Sequence, residues 1–151
     1  MRKKCGVIFW RFMLFAFIGL LLEVTLGAVM GLFDGNYSLS GRTSLWMILD
    51  YGLLGVLLMP IKAGLLKYRF PLLARGVVYM LAIYVVEYVS GTVFTAAGLR
   101  IWSYEHLRYQ LHGQIALAFA PLWYFLGISA ELIYGKIDAC ARILANQMPA
   151  D

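Results

Sequence analysis

The stretch "FIGLLLEVTLGAVMG", residues 17–31, decides the fold. It is apolar enough to sit in hydrocarbon, yet it carries Glu23, a kind of side chain that lipid tolerates least. The apolar run around it extends over about residues 7–32, and three more follow at about 44–66, 72–98 and 115–137. Each reaches the roughly 20 residues that a helix needs to cross about 30 Å of hydrocarbon. None shows the strict alternation that a membrane β-barrel imposes on its strands. Composition agrees: of 151 residues, 62% are apolar, 15% aromatic and only 14% charged, too few charges for an ordinary soluble domain. We expect an all-α integral membrane protein, a single four-helix transmembrane bundle with a short cytoplasmic tail at 138–151.

The net charge of +5 would point to nucleic acid in a soluble protein. Here the basic residues cluster at the ends of apolar segments, where they act as orientation signals and headgroup contacts, so no nucleic-acid partner is expected. With four spans, one side of the membrane receives Arg2, Lys3, Lys4, Arg11, Lys62, Lys67, Arg69, Arg75, Lys136 and Arg142. The other receives Arg42, Arg100 and Arg108. This bias places both termini in the cytoplasm. The first run reads as a span rather than a signal peptide, because Arg11 interrupts it and no small-x-small cleavage site ends it. Cys5 and Cys140 then lie at a reducing face, and no disulfide is expected.

The two halves resemble each other. Glu23 and Gly27 in "EVTLG" answer Glu87 and Gly91 in "EYVSG", and "GRTSLWMILDYGLLG" at 41–55 aligns without a gap to "GQIALAFAPLWYFLG" at 113–127. The offsets of 64 and 72 residues imply a hairpin duplicated in parallel, with about eight extra residues in the second outer loop.

At about 1.5 Å rise per residue, Glu23 and Glu87 lie roughly 20 Å along their spans, and Asp50 roughly 8 Å below the opposite boundary of its own. All three acids therefore share one level. Facing lipid, each costs about 2.5 to 3.5 kcal/mol, so they are expected to turn inward. Spacing of four sets Glu23 with Gly27 and Gly31, and Glu87 with Gly91 and Thr95, where small residues permit close helix approach. Carboxylates gathered in low dielectric cannot all hold charge, so at least one is expected to carry a proton unless a cation sits among them. The bland alternative is neutralisation by Arg42, Arg100 or Arg108. Glu131, flanked by Gly127 and Gly135, lies at the other end, level with Lys62 and not far from Arg11, and a structural ion pair between Glu131 and Lys62 is expected.

The loop "GLRIWSYEHLRYQLHGQ" at 98–114 is the most polar and aromatic in the chain. Trp102, Tyr104 and Tyr109 fit an interfacial belt. They also stand above the acids, where His112 suits a proton relay or general acid. The candidate binding set is Glu23, Asp50, Glu87, Trp102, Tyr104, His112 and Trp123, with Glu87 and His112 as the catalytic candidates. His106 and His112 are too far apart for a helix-face metal pair, and no HExxH, CxxC, GxSxG, P-loop or Rossmann pattern occurs, so neither metal nor cofactor is expected.

Gly19 with Glu23, "GRTSLW", "FPLLAR", "EYVSG", "WSY" and "HGQIALAFAPLWYFLG" with Glu131 behind it together resemble the bacterial ABC-transporter type IV family and its animal relatives, the transmembrane protein 229 family. The resemblance covers roughly residues 13–137. It implies acids at Glu23, Glu87 and Glu131 and an aromatic W-D-Y motif at Trp102, Ser103 and Tyr104, where Ser103 removes a carboxylate. Gln110 stands where the families often have asparagine. The family name implies a permease-like component, working as a homodimer or with a partner membrane subunit. Three readings remain: transport of a small cation, a proton-coupled solute or a lipid headgroup; a membrane-embedded enzyme using a buried Glu or His112 as general acid on a lipid or isoprenoid; and a non-catalytic scaffold.

Overall fold

A computed structural model describes residues 2–147, with side chains described from residue 4 onward. The side chains of Arg2 and Lys3, counted above as orientation signals, and residues 148–151 of the tail lie outside the described residues. The chain is all-helical apart from one two-residue pairing: α1 (Arg2–Phe33), α2 (Met47–Lys67), α3 (Leu72–Ala96), β1 (Gln110–Leu111), β2 (Ile115–Ala116), a 3-10 turn (Leu117–Phe119) and α4 (Ala120–Asn146). All four helices are long and apolar enough to cross a membrane.

Three of the helices end in the same way. After α1, Gly35 takes φ +79, with Asn36 N donating to Gly31 O and Gly35 N to Leu32 O. After α3, Gly98 takes φ +78, with Leu99 N on Phe94 O and Gly98 N on Thr95 O. These are paired left-handed caps, which close the last free carbonyls and favour glycine because it has no Cβ. After α2 the same bonds form through Arg69 at φ +55, a position that strains a side chain, and Pro71 follows to forbid continuation.

The fourth span differs from its expected limits of 115–137. Residues 115–116 are extended and pair with 110–111 in antiparallel register. Between them His112 at φ 52 and Gly113 at φ 70 form a turn closed by Gln114 N donating to Leu111 O. Two successive left-handed residues give the tight turn whose twist suits a hairpin. At the other end α4 runs to Asn146, so much of the expected tail is regular helix. Ile137, Ala141 and Ala145, at spacing four, are buried along one face of it.

The chain divides into two compact units, Met1–Val56 with Ile137–Asp151, and Leu57–Lys136. In the first, α1 packs on the start of α2: a Cβ at Gly55 would fall 2.6 Å from Phe15 Cβ, and one at Gly52 would fall 2.5 Å from the Phe12 ring. In the second, α3 packs on α4: a Cβ at Gly127 would fall 2.5 Å from Tyr79 Cβ, and one at Gly76 would fall 2.6 Å from the Tyr124 ring. Glycine at these points is what lets the helices touch.

Candidate functional site

In the first unit, Glu23 projects from the middle of α1 and is half-buried. Its Oε2 accepts hydrogen bonds from Thr43 Oγ1 at 2.6 Å and Tyr51 Oη at 2.9 Å. Two features of the chain bring these donors in. Tyr51 lies across Gly19, one turn before the acid, where any Cβ would overlap its ring. Gly41 lies against the backbone of Val24, so the segment before α2 runs close along α1 and delivers Thr43. The small face at Gly27 therefore meets backbone at Gly41 and Arg42, not a second helix. The expected close approach is real, but loop rather than helix fills it. Asp50, in the first turn of α2 next to Tyr51, is buried with 4% of its surface exposed. No cationic side chain pairs with Glu23 among the described residues, and Arg42, Arg100 and Arg108 form no ion pair among them.

The second unit repeats the theme with the long loop. Glu87 Oε1, on α3, accepts a hydrogen bond from Tyr104 Oη at 2.8 Å. The Tyr104 ring packs on Phe119 at 4.9 Å, and Phe119 packs on Trp123 at 6.1 Å between centroids. The loop is pinned along α3 by several bonds. Trp102 Nε1 donates to Gln114 O, Gln114 Nε2 to Thr95 Oγ1, and Tyr84 Oη to Ala116 O. Gly91 supplies the space, since a Cβ there would overlap the Gln114 side chain. Trp102 thus lies one turn beyond Glu87, edge-on to Phe94 at 5.9 Å, as a clamp for the loop. His112 is exposed, and its Nδ1 is 2.9 Å from Tyr88 Oη. Tyr88 follows Glu87 and so points about 100° away around the helix. The structure therefore joins Glu87 to Tyr104 and, through Phe119, to Trp123 in the second unit, and Glu23 to Thr43 and Tyr51 in the first, where Asp50 is buried at the start of α2; His112 serves a neighbouring face. Among the described residues, no group of three His, Cys, Asp or Glu side chains stands where it could hold a metal ion.

Glu131 has a different partner from the one expected. Its carboxylate takes a two-pronged bond from Arg75, Nε to Oε2 at 2.9 Å and Nη2 to Oε1 at 2.9 Å. Lys62 Nζ reaches the Glu131 backbone carbonyl instead, at 3.3 Å. The reason is register: Arg75 lies one turn before Tyr79, which faces Gly127 one turn before Glu131, so guanidinium and carboxylate stand opposite each other, and a planar fork suits a carboxylate better than an ammonium does. Arg11 is engaged elsewhere, with Asp138 at 2.5 Å, which also binds Arg142 at 2.9 Å. Gly135 meets nothing within 4 Å, so the small face stops at Glu131.

Sequence reasoning missed Thr43 and Tyr51 as partners of Glu23, and Arg75 and Asp138 as members of ion pairs. One signal was present: Arg11 stands twelve residues before Glu23, and Arg75 twelve before Glu87. Both arginines had been counted as orientation charges, although both bind carboxylates.

The chain is a multi-pass membrane protein by its four apolar helices. No solved structure matches it. A family model described as "Putative ABC-transporter type IV" matches residues 10–148, and the chain belongs to that transporter-related family.

Proposed function

We propose that this chain is a transporter or permease-like component of the bacterial cytoplasmic membrane, acting on a small cation, a proton-coupled solute or a lipid headgroup. The observation that carries the reading is Glu23, a carboxylate within a span held by two hydroxyls and by no cationic side chain among the described residues. Hydroxyl donors keep such an acid in place without cancelling its charge, so it remains able to take up a proton or a cation. The basic residues favour cytoplasmic termini, ten on one side against three. The chain carries no P-loop, so an energised system would draw its ATPase from a partner subunit.

We also read the chain as a duplicated hairpin. The contacts Phe12 with Gly52, and Phe15 with Gly55, recur as Gly76 with Tyr124, and Tyr79 with Gly127, at the same two offsets. Gly27 beside Arg42 recurs as Gly91 beside Gln114. On this reading Glu23 and Glu87 are equivalent positions, each gripped by a tyrosine.

Reconstitution into proteoliposomes tests the transport reading. With an imposed pH gradient and an entrapped pH-sensitive dye, the intact protein should dissipate the gradient or drive uptake of an alkali cation or choline, and Glu23→Gln should abolish this. Glutamine retains an acceptor for Thr43 and Tyr51 but carries no charge. A stable wild-type protein with no flux of any of these would remove the reading. It would leave the scaffold alternative, favoured by the way Thr43 and Tyr51 tie α2 and its preceding loop to α1.

A further inference from the structure

Arg69 stands in a backbone conformation that glycine takes without strain. It follows the end of α2 at φ +55, in the left-handed region where a Cβ crowds the following carbonyl, whereas Gly35 and Gly98 do the same work after α1 and α3. The turn needs no side chain there. Its shape is fixed by backbone bonds from Tyr68 N to Gly64 O, Arg69 N to Leu66 O and Phe70 N to Leu65 O, and by Arg75 Nη1 donating to Phe70 O at 2.8 Å. The Arg69 guanidinium does not serve the fold either, since it enters no ion pair or hydrogen bond among the described residues. Lys62 and Arg75, in the same unit, are taken by Glu131. Lys67 lies over the Tyr68 ring at 5.7 Å and pairs with no carboxylate among the described residues. A charge in the last turn of α2 complements the carbonyl end of that helix, which accounts for Lys67. It does not account for a strained arginine two residues on. Around these two cations the surface is apolar: Tyr68, Phe70 and Leu73 are 71%, 42% and 70% exposed.

We propose that residues 67–70 hold the headgroup phosphate of an anionic phospholipid. Arg69 binds the phosphate oxygens through its fork of N–H donors, Lys67 adds a second positive charge, and the rings of Tyr68 and Phe70 lie at the level of the glycerol and ester groups. A guanidinium meets a phosphate with paired, charge-assisted hydrogen bonds, a geometry that an ammonium lacks. Tyrosine and basic side chains beside a span settle at the headgroup boundary, with rings and stems in apolar surroundings and charged tips reaching outward. The turn joins two apolar spans, so its cations stand where the bilayer carries its phosphates, and basic side chains at that level draw anionic lipid in preference to zwitterionic lipid. A soluble anion would gain nothing from the exposed rings. Because backbone bonds and Arg75 already hold the turn, little ordering remains to oppose binding. The strain at Arg69 is then offset by what its guanidinium holds. Nothing in this surface depends on Glu23 or on transport.

The purified full chain in a maltoside detergent is titrated with phosphatidylglycerol and with phosphatidylcholine. Native mass spectrometry reads bound lipid, and circular dichroism reads the thermal midpoint. The wild type should bind phosphatidylglycerol about tenfold more tightly than phosphatidylcholine, as a charge-assisted contact provides, and should be stabilised by it. Arg69→Gly separates backbone from side chain. In detergent alone its midpoint should equal or exceed that of the wild type, because the strain is gone, while its preference for phosphatidylglycerol should fall about tenfold. Lys67→Gln should weaken that preference severalfold. Lys136→Gln removes another exposed cation of the same unit and should leave it unchanged. Arg69→Asn, which also takes a left-handed conformation readily, repeats the test if the glycine variant does not fold. The inference is overturned by a wild type that does not distinguish the two lipids, by an Arg69→Gly variant that keeps the preference or melts lower in detergent alone, or by an equal loss in Lys136→Gln. Stabilisation by inorganic phosphate as large as that by phosphatidylglycerol would overturn lipid as the occupant.

Discussion

Gly127 and Gly135 occupy the same helix two turns apart, and a methyl group should affect them with opposite sign. A Cβ at Gly127 falls 2.5 Å from Tyr79 Cβ. Ordinary contact begins near 3.4 Å, so the two helices must part by about 0.9 Å to admit it. The obstacle is the first side-chain atom of Tyr79, which moves only with the backbone of α3, and Tyr79 itself is 1% exposed and has no room to swing aside. Overpacking of this kind costs about 1 to 3 kcal/mol. At Gly135 nothing lies within 4 Å, and replacing glycine in a helix interior gains up to about 1 kcal/mol. Gly127→Ala and Gly135→Ala are compared by thermal unfolding in detergent, followed by circular dichroism. The expected outcome is a lowered midpoint for the first and an unchanged or raised one for the second. Equal shifts, or a neutral Gly127→Ala, would refute the close α3–α4 contact and with it the register that sets Arg75 opposite Glu131.

Two further predictions concern charge and sidedness. Arg75→Met should destabilise the protein by stranding a buried carboxylate, and the double variant Arg75→Met with Glu131→Leu should recover most of the loss, because a removed pair leaves no uncompensated charge; a double variant worse than the single would place the pair's role elsewhere. Cys5 and Cys140 are exposed, so a membrane-impermeant maleimide should label both in inside-out vesicles and neither in intact cells, and labelling of intact cells would reverse the assigned orientation.

The four spans were legible because hydropathy over twenty residues is a property of the sequence alone. The caps were half legible: Gly35 and Gly98 announce the left-handed residue that ends α1 and α3, but Arg69 performs the same task without a glycine to signal it. Depth arithmetic set Glu131 level with Lys62, and Lys62 does reach the Glu131 backbone carbonyl, but rise per residue says nothing of azimuth, so it could not name the partner of the carboxylate. Arg75 won the carboxylate by facing it. Residues 115–116 fell inside the expected fourth span because they are apolar; the turn at His112 and Gly113, set by backbone conformation, makes them the second strand of a hairpin. Glycine spacing announced close helix approach at Gly27 and Gly91; close contacts form at both, but the loop makes them.

The acids are sorted by their partners. Arg11 and Arg75 take Asp138 and Glu131, each with a guanidinium against a carboxylate. Glu23 and Glu87, twelve residues further along the same two helices, about 18 Å by the helical rise, take hydroxyls from Thr43, Tyr51 and Tyr104. Packing alone does not require this division. If the acids served only to join helices, a second arginine at the loop ends would join them as well, and Arg42, Arg100 and Arg108 stand on the loops without pairing among the described residues. A neutral hydroxyl fixes the position of a carboxylate without cancelling its charge. A guanidinium fork fixes it and cancels the charge as well. On the proposed function, the arginine-paired acids of this chain are therefore structural, and Glu23, held by Thr43 and Tyr51, is the acid whose charge remains to be used.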